Sequence, residues 1–236
     1  MRNRNKVWAI TLLVGGYIMA QAIADIGATK MIDFFGIVMP AGSLMFAVTF
    51  TLRDLLHKRL GKDWALAAII TAAVFNVIQS GYLAWMGNIP APPFFQNAEA
   101  WSTIFALVPS ITFASILAEL ISQLIDTEVY DIWMRKLPKA PQWMRVLVSN
   151  AISLPIDSFI FGVAGFMLFP LVFGGDALPF SAAMQAVVGQ IYWKAIITVL
   201  SMPLIYAVKE KPIDLGAFAY APTHPRRIRF DEAGSR

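Results

Sequence analysis

Six long apolar runs, at residues 7–24, 34–52, 64–86, 101–133, 144–173 and 181–208, leave this 236-residue chain few folds to choose from. As helices rising 1.5 Å per residue, they are long enough to cross about 30 Å of hydrocarbon, the longer ones with tilt or with ends protruding. Hydrophobic residues make up 58% of the chain and charged residues 14%, with a mean hydropathy of +0.62, a balance that a soluble domain with a polar surface could not carry. The expected fold class is an all-α integral membrane protein. Residues 1–211 form a bundle of six transmembrane helices, and residues 212–236 form a polar cytoplasmic tail. Arg2, Arg4 and Lys6 before the first run imitate a secretory signal, but the run exceeds a usual signal core and more spans follow, so it reads as a retained helix.

Basic residues set the expected orientation. Arg2, Arg4 and Lys6 precede the first run; Arg53, Lys58, Arg59 and Lys62 follow the second; Arg135, Lys136, Lys139 and Arg145 follow the fourth; Lys209, Lys211 and four tail arginines follow the last. The alternate connections contain only Lys30, so both termini are expected in the cytoplasm and the proline-rich loop 87–100 outside. This pattern also accounts for the net charge of +4 and pI near 9.4 without a nucleic-acid partner. With no cysteine, disulfides, thiolate metal sites and cysteine nucleophiles are excluded.

The fourth run carries charges that lipid would not tolerate. At helical spacing Thr112, Ser115, Glu119, Ser122, Gln123, Asp126 and Tyr130 share one side, among Ile and Leu elsewhere. An acid at mid-membrane costs about 2.5 to 3.5 kcal/mol and each large aliphatic residue returns about 0.3 to 0.6, so the seam must face protein or water. Comparable stripes occur in the fifth run (Asn150, Ser153, Asp157), the sixth (Gln190, Lys194, Thr198, Ser201) and the third (Asn76, Gln79, Ser80). Ser122 to Asp126 and Ser153 to Asp157 echo each other, each setting a hydroxyl and a carboxylate one turn apart.

Amides and hydroxyls on such stripes also serve as interhelical glue, whereas intramembrane charges mark substrate or ion paths more often than not. Glu119, Asp126 and Asp157 are therefore expected to converge in one cavity, with Lys194 either a ligand or a counter-ion to one acid. Glu128 and Asp131 fall off the seam, and Arg53 with Asp54 reads as a topogenic pair. Gly16, Ala20 and Ala24 make a small-residue stripe suited to close helix contact within the bundle or with another subunit. There is no phosphate-binding glycine loop, and His57 and His224 form no acid cluster suited to zinc, so a transporter without its own ATPase fits better than an enzyme, with no cofactor or metal expected.

Lys30, Pro40-Ala-Gly42, Arg53 through Lys62, Ser122-Gln-Leu-Ile-Asp126 and Asn150 through Asp157 together resemble the vitamin uptake transporter family of queuosine precursor transporters. The resemblance runs from about Lys30 to Lys209. It implies six spans in the inner (plasma) membrane and import of the 7-deazapurine bases preQ0 and preQ1, precursors of a modified tRNA nucleoside. At the end of the second run Asp54 and Gly61 match the family pattern, while Lys58 and Leu60 stand where Glu and Tyr are usual. The expected substrate-binding residues are Asp126, Glu119, Gln123, Ser122, Asn150, Ser153, Asp157, Lys194, Asn76 and Gln79, with Asp126 the most needed. A deazaguanine offers an N1–H and 2-amino donor pair that a carboxylate accepts, an O6 that an amide or lysine meets, and a flat ring for stacking. The competing readings are a substrate-binding subunit that needs a separate energising module, as in ECF transporters, an intramembrane enzyme, and a structural subunit. The permease reading is compatible with a chain that works alone or as a homo-oligomer.

Overall fold

The computed structural model describes residues 2–137 and 142–207, so the expected cytoplasmic tail lies outside the described residues. Helix α1 (Arg2–Gly27) leads into an antiparallel hairpin, β1 (Met31–Phe34) and β2 (Ile37–Pro40), followed by α2 (Gly42–Leu60), α3 (Lys62–Asn88) and α4 (Ala98–Lys136). Helix α5 (Gln142–Val163) continues through a π-helical turn (Ala164–Leu168) into the short α6 (Phe169–Phe173), and α7 (Phe180–Ala207) closes the bundle. Among the described residues, five helical stretches are long and apolar enough to cross a membrane: Val7–Gly27, Asp63–Asn88, Ala98–Ser122, Leu147–Phe173 and Phe180–Ser201. Their outward faces carry exposed Leu12, Ile78, Val188, Leu171 and Leu200, apolar surface that hydrocarbon covers. Exposed Trp8 and Trp64 at one end of the bundle, and Trp85 and Trp101 at the other, occupy the positions of interfacial aromatic belts.

The run at 34–52 departs from a continuous helix. Its first part belongs to the hairpin, in register Met31 to Pro40 and Phe34 to Ile37, and the helix begins only at Gly42. Local chemistry explains the turn: Phe35 and Gly36 adopt positive φ, and the Gly36 N–H donates to Asp33 Oδ1 at 2.8 Å. Pro40, which has no N–H to donate, ends the second strand. Non-helical backbone is tolerated within a membrane bundle where protein buries it. Met39 is fully buried, the Phe34 ring lies 4.8 Å from that of Trp193, and a Cβ on Gly189 would collide with the Val38 carbonyl. Helix α2 has 19 residues, about 28 Å at 1.5 Å each, but Arg53, Asp54, His57, Lys58 and Arg59 lower the hydropathy of its second half.

One close approach ties the start of α2 to α1. A side chain on Gly42 would run into the Ala24 carbonyl, so the start of α2 packs directly on the backbone of α1. Ala20 and Ala24 are buried, so part of the small-residue stripe is used inside the bundle. The π turn has a cause of its own. Pro170 cannot donate to the Phe166 carbonyl four residues earlier, and the Leu178 N–H takes that carbonyl instead at 2.7 Å.

Candidate functional site

Polar side chains from α1, α3, α4, α5 and α7 meet inside the bundle in three groups. In the first, Lys194 Nζ donates to Asp157 Oδ2 at 2.8 Å with both side chains nearly inaccessible, and Ser122 Oγ lies 3.3 Å from Asp157 Oδ1. Ser122 also bonds the Glu119 carbonyl at 3.1 Å. Two buried charges are tolerable here because each is the other's partner and further donors complete the shell. The Lys194 ammonium also sits 4.8 Å from the Phe46 ring centre and 6.0 Å from that of Phe161, and each ring's negative face adds a cation–π contact.

In the second group Glu119, half-buried, turns toward α1. Tyr17 Oη donates to Glu119 Oε1 at 2.7 Å, and Gln21 Nε2 donates to Glu119 Oε2 at 3.0 Å and contacts Tyr17 Oη at 3.1 Å. In the third, Asp25 is buried and held by neutral donors: Asn76 Nδ2 at 2.9 Å, with the Ser115 and Thr112 hydroxyls as further partners.

Between the first and third groups lies a small cavity, with room for about one water, lined by Asp25, Ser43, Phe46, Ser115, Phe161, Gln190 and Lys194 over a floor of Ala24, Ala28 and Gly42. Gln190 is 1% exposed, and its Nε2 has no hydrogen-bond partner. A buried amide donor left open costs about 1 to 3 kcal/mol, so its place on a cavity wall points to a partner that the polypeptide does not supply. Carboxylate, amide, hydroxyls and two aromatic rings are the group types that recognise a flat heterocycle, which enters only once these walls move apart.

The expected site residues distribute unevenly. Asp157, Ser122 and Lys194 come together, Asn76 joins Asp25, and Glu119 belongs to a separate cluster with α1. Asn150 and Ser153 are buried away from the cavity lining, and Gln79 is half-buried with no place on that lining. The side chains of Gln123 and Asp126 lie outside the described residues. The apolar part of α4 ends at Ser122, so Asp126 falls one turn beyond it. Asp25, Gln21 and Tyr17 escaped sequence reasoning, although their spacing of four residues put one polar face on the first span, beside the small-residue stripe. Gln190 was legible as part of a stripe but not as the amide with an open donor.

Residues 40–208 match the profile of a family described as "Putative vitamin uptake transporter". The chain belongs to the vitamin uptake transporter family. A protein from Bacillus subtilis (strain 168), named "Probable queuosine precursor transporter", is 26% identical over 196 residues, covering 81% of this chain and 80% of that protein. No solved structure matches the chain. The family match and the apolar helices make this a multi-pass membrane transporter. The matched segment contains Phe46, Ser115, Asp157, Gln190 and Lys194, while Tyr17, Gln21 and Asp25 precede it.

Proposed function

We propose that the protein imports the queuosine-precursor bases preQ0 and preQ1 across the inner membrane and holds the base in the Asp25–Gln190 cavity. The observation that carries this reading is the open Gln190 Nε2 donor on the same cavity wall system as a buried carboxylate and two aromatic rings. In it Gln190 donates to the base O6, Asp25 accepts from the ligand's N–H groups, and Phe46 and Phe161 flank the ring. Lys194, fixed by Asp157, keeps the wall beside the rings in place. Asp126, Gln123, Glu119 and Ser122 on α4, with Asn150, Ser153, Asn76 and Gln79, complete the polar path into and out of the cavity.

The topology that goes with this function is six passes with both ends cytoplasmic, α2 being the second. Reporter fusions at Gly61, Asn97, Lys139 and Gly175 are expected to read inside, outside, inside, outside, and an inverted pattern overturns the orientation. A permease that works without an energising module is favoured over an ECF-like binding subunit because Ala20 and Ala24 pack inside the bundle. Co-purification with an ATPase would reverse that preference. The deciding measurement is uptake of labelled preQ0 and preQ1 by proteoliposomes, beside queuosine content of tRNA in cells that cannot make the precursor. If the parent protein supports neither, the deazapurine assignment falls. Asp126→Asn, once shown to reach the membrane, is expected to lower queuosine at limiting precursor roughly 10- to 150-fold in apparent affinity, the loss of one charge-assisted bond. Unchanged queuosine at every concentration would remove Asp126 from the path.

A further inference from the structure

The cavity beside Asp25 has room for about one water, so anything larger reaches it only when a wall moves. Ala28 and Gly42 on its floor lie just before and just after the β1–β2 hairpin. From there the hairpin crosses to α7, where Val38 meets Gly189, the residue before the cavity-lining Gln190. Helix α3 runs on from Asn76, the partner of Asp25, to Asn88, about 18 Å further, whereas α1 stops at Gly27, less than one turn past Asp25. On the side of the cavity that faces the connection from α3 to α4, the hairpin thus stands where α1 and α2 supply no helix.

The two ends of the hairpin are held differently. At its base the Ala41 N–H donates to the Lys30 carbonyl at 2.8 Å, and Gly42 sits so close to Ala24 that a Cβ would collide with it. At its tip the Phe34 and Phe35 rings rest against that of Trp193, at 4.8 and 6.1 Å between centres. Among the described residues no hydrogen bond joins either strand to α7. Two features leave this closed tip poised to lift. Phe35 is a bulky residue at φ 55° in a two-residue turn whose positive φ values suit Asn and Gly. The Trp193 Nε1 donor is buried with no hydrogen-bond partner, and lifting the tip gives it water.

We propose that the hairpin is a lid on the cavity, hinged at its Lys30–Ala41 base, whose tip leaves α7 to admit the cargo. The identity of the cargo, and the membrane side on which the lid opens, rest on the functional reading above, but the lid does not. The base keeps its backbone contacts while only ring contacts and the Val38–Gly189 approach are given up at the tip, so the helices stay where they are.

The chain has no cysteine, so a single reporter can be placed without background. Ser43→Cys on the cavity wall is to be labelled with a membrane-impermeant maleimide in sealed vesicles of each orientation, with Asn97→Cys marking the face of the α3–α4 connection. Adding Phe35→Asn, which suits the turn but removes a ring from the tip, is expected to speed labelling about 10-fold from that face and to leave the rate from the opposite face within about twofold. An unchanged rate, or an equal rise from both faces, overturns the lid. In proteoliposomes, Phe34→Cys combined with Trp193→Cys and bridged by a short bifunctional thiol reagent is expected to take up preQ1 at least about 10-fold more slowly than the same protein unbridged, and to recover when reductant splits the bridge. Uptake that the bridge does not slow would show that the tip stays on α7 throughout transport, and the lid falls. A parent protein that takes up neither preQ0 nor preQ1 refutes the functional reading, while the maleimide experiment still decides the lid.

Discussion

Asp157 and Asp25 are two aspartates at nearly the same burial, 0% and 2% exposed, with opposite surroundings. Asp157 meets an ammonium at 2.8 Å and closes a contact between α5 and α7. Asp25 meets only neutral donors, Asn76, Ser115 and Thr112, and faces a cavity. Among the described residues no cation contacts it. The contrast separates two uses of a buried acid. A charge that the protein pairs with an opposite charge is part of the scaffold, and one held only by neutral donors beside a cavity keeps its charge for a ligand.

The largest effect that could break this contrast is on the scaffold side. Asp157→Ala leaves the Lys194 ammonium buried without its acid, expected to cost about 3 to 5 kcal/mol, read as a lower thermal midpoint of the purified protein and a lower membrane level. Adding Lys194→Met should recover most of the loss, because an apolar pair of similar volume replaces an unpaired charge. A single variant as stable as the parent would mean that the pair does not hold α5 to α7.

Asp25→Asn is expected to behave in the opposite way. Its neutral partners can bond an amide, so stability should move by less than about 1 kcal/mol, while affinity for the base falls roughly 10- to 150-fold in equilibrium binding. A collapse in stability with unchanged affinity per folded molecule would place Asp25 with Asp157 in the scaffold. The smallest effect sharpens the comparison at the cavity wall. Gln190→Leu removes an open donor, so the protein is expected to be equally or slightly more stable, whereas base binding weakens by about 0.5 to 1.5 kcal/mol. Lower stability would reveal that the amide already has a partner.

The residues that joined the site differ in how far their role could be read in advance. Lys194 and Asp157 stood out because a charge within a long apolar run is costly wherever it points, and that cost is visible without knowing the fold. Asp25 did not stand out, because it sits at the end of an apolar run, where an acid could equally well face water. Its burial depends on the hairpin that follows and on Gly42 packing against Ala24, contacts between segments that no local pattern encodes. Phe46 and Phe161 were indistinguishable from lipid-facing aromatics until the bundle closed around them.

Hydropathy and charge therefore determined by themselves that this is a helical membrane protein with polar seams turned inward, since the bilayer penalises every unpaired polar group in the same way whatever its neighbours. Tertiary structure alone decided which acid is neutralised and which is left facing a cavity, and that the second apolar run opens as a hairpin tucked against α7. Pairing between helices depends on their rotation and relative depth. Those are fixed by close contacts such as Gly42 on Ala24 and Gly189 on Val38, which sequence periodicity does not register.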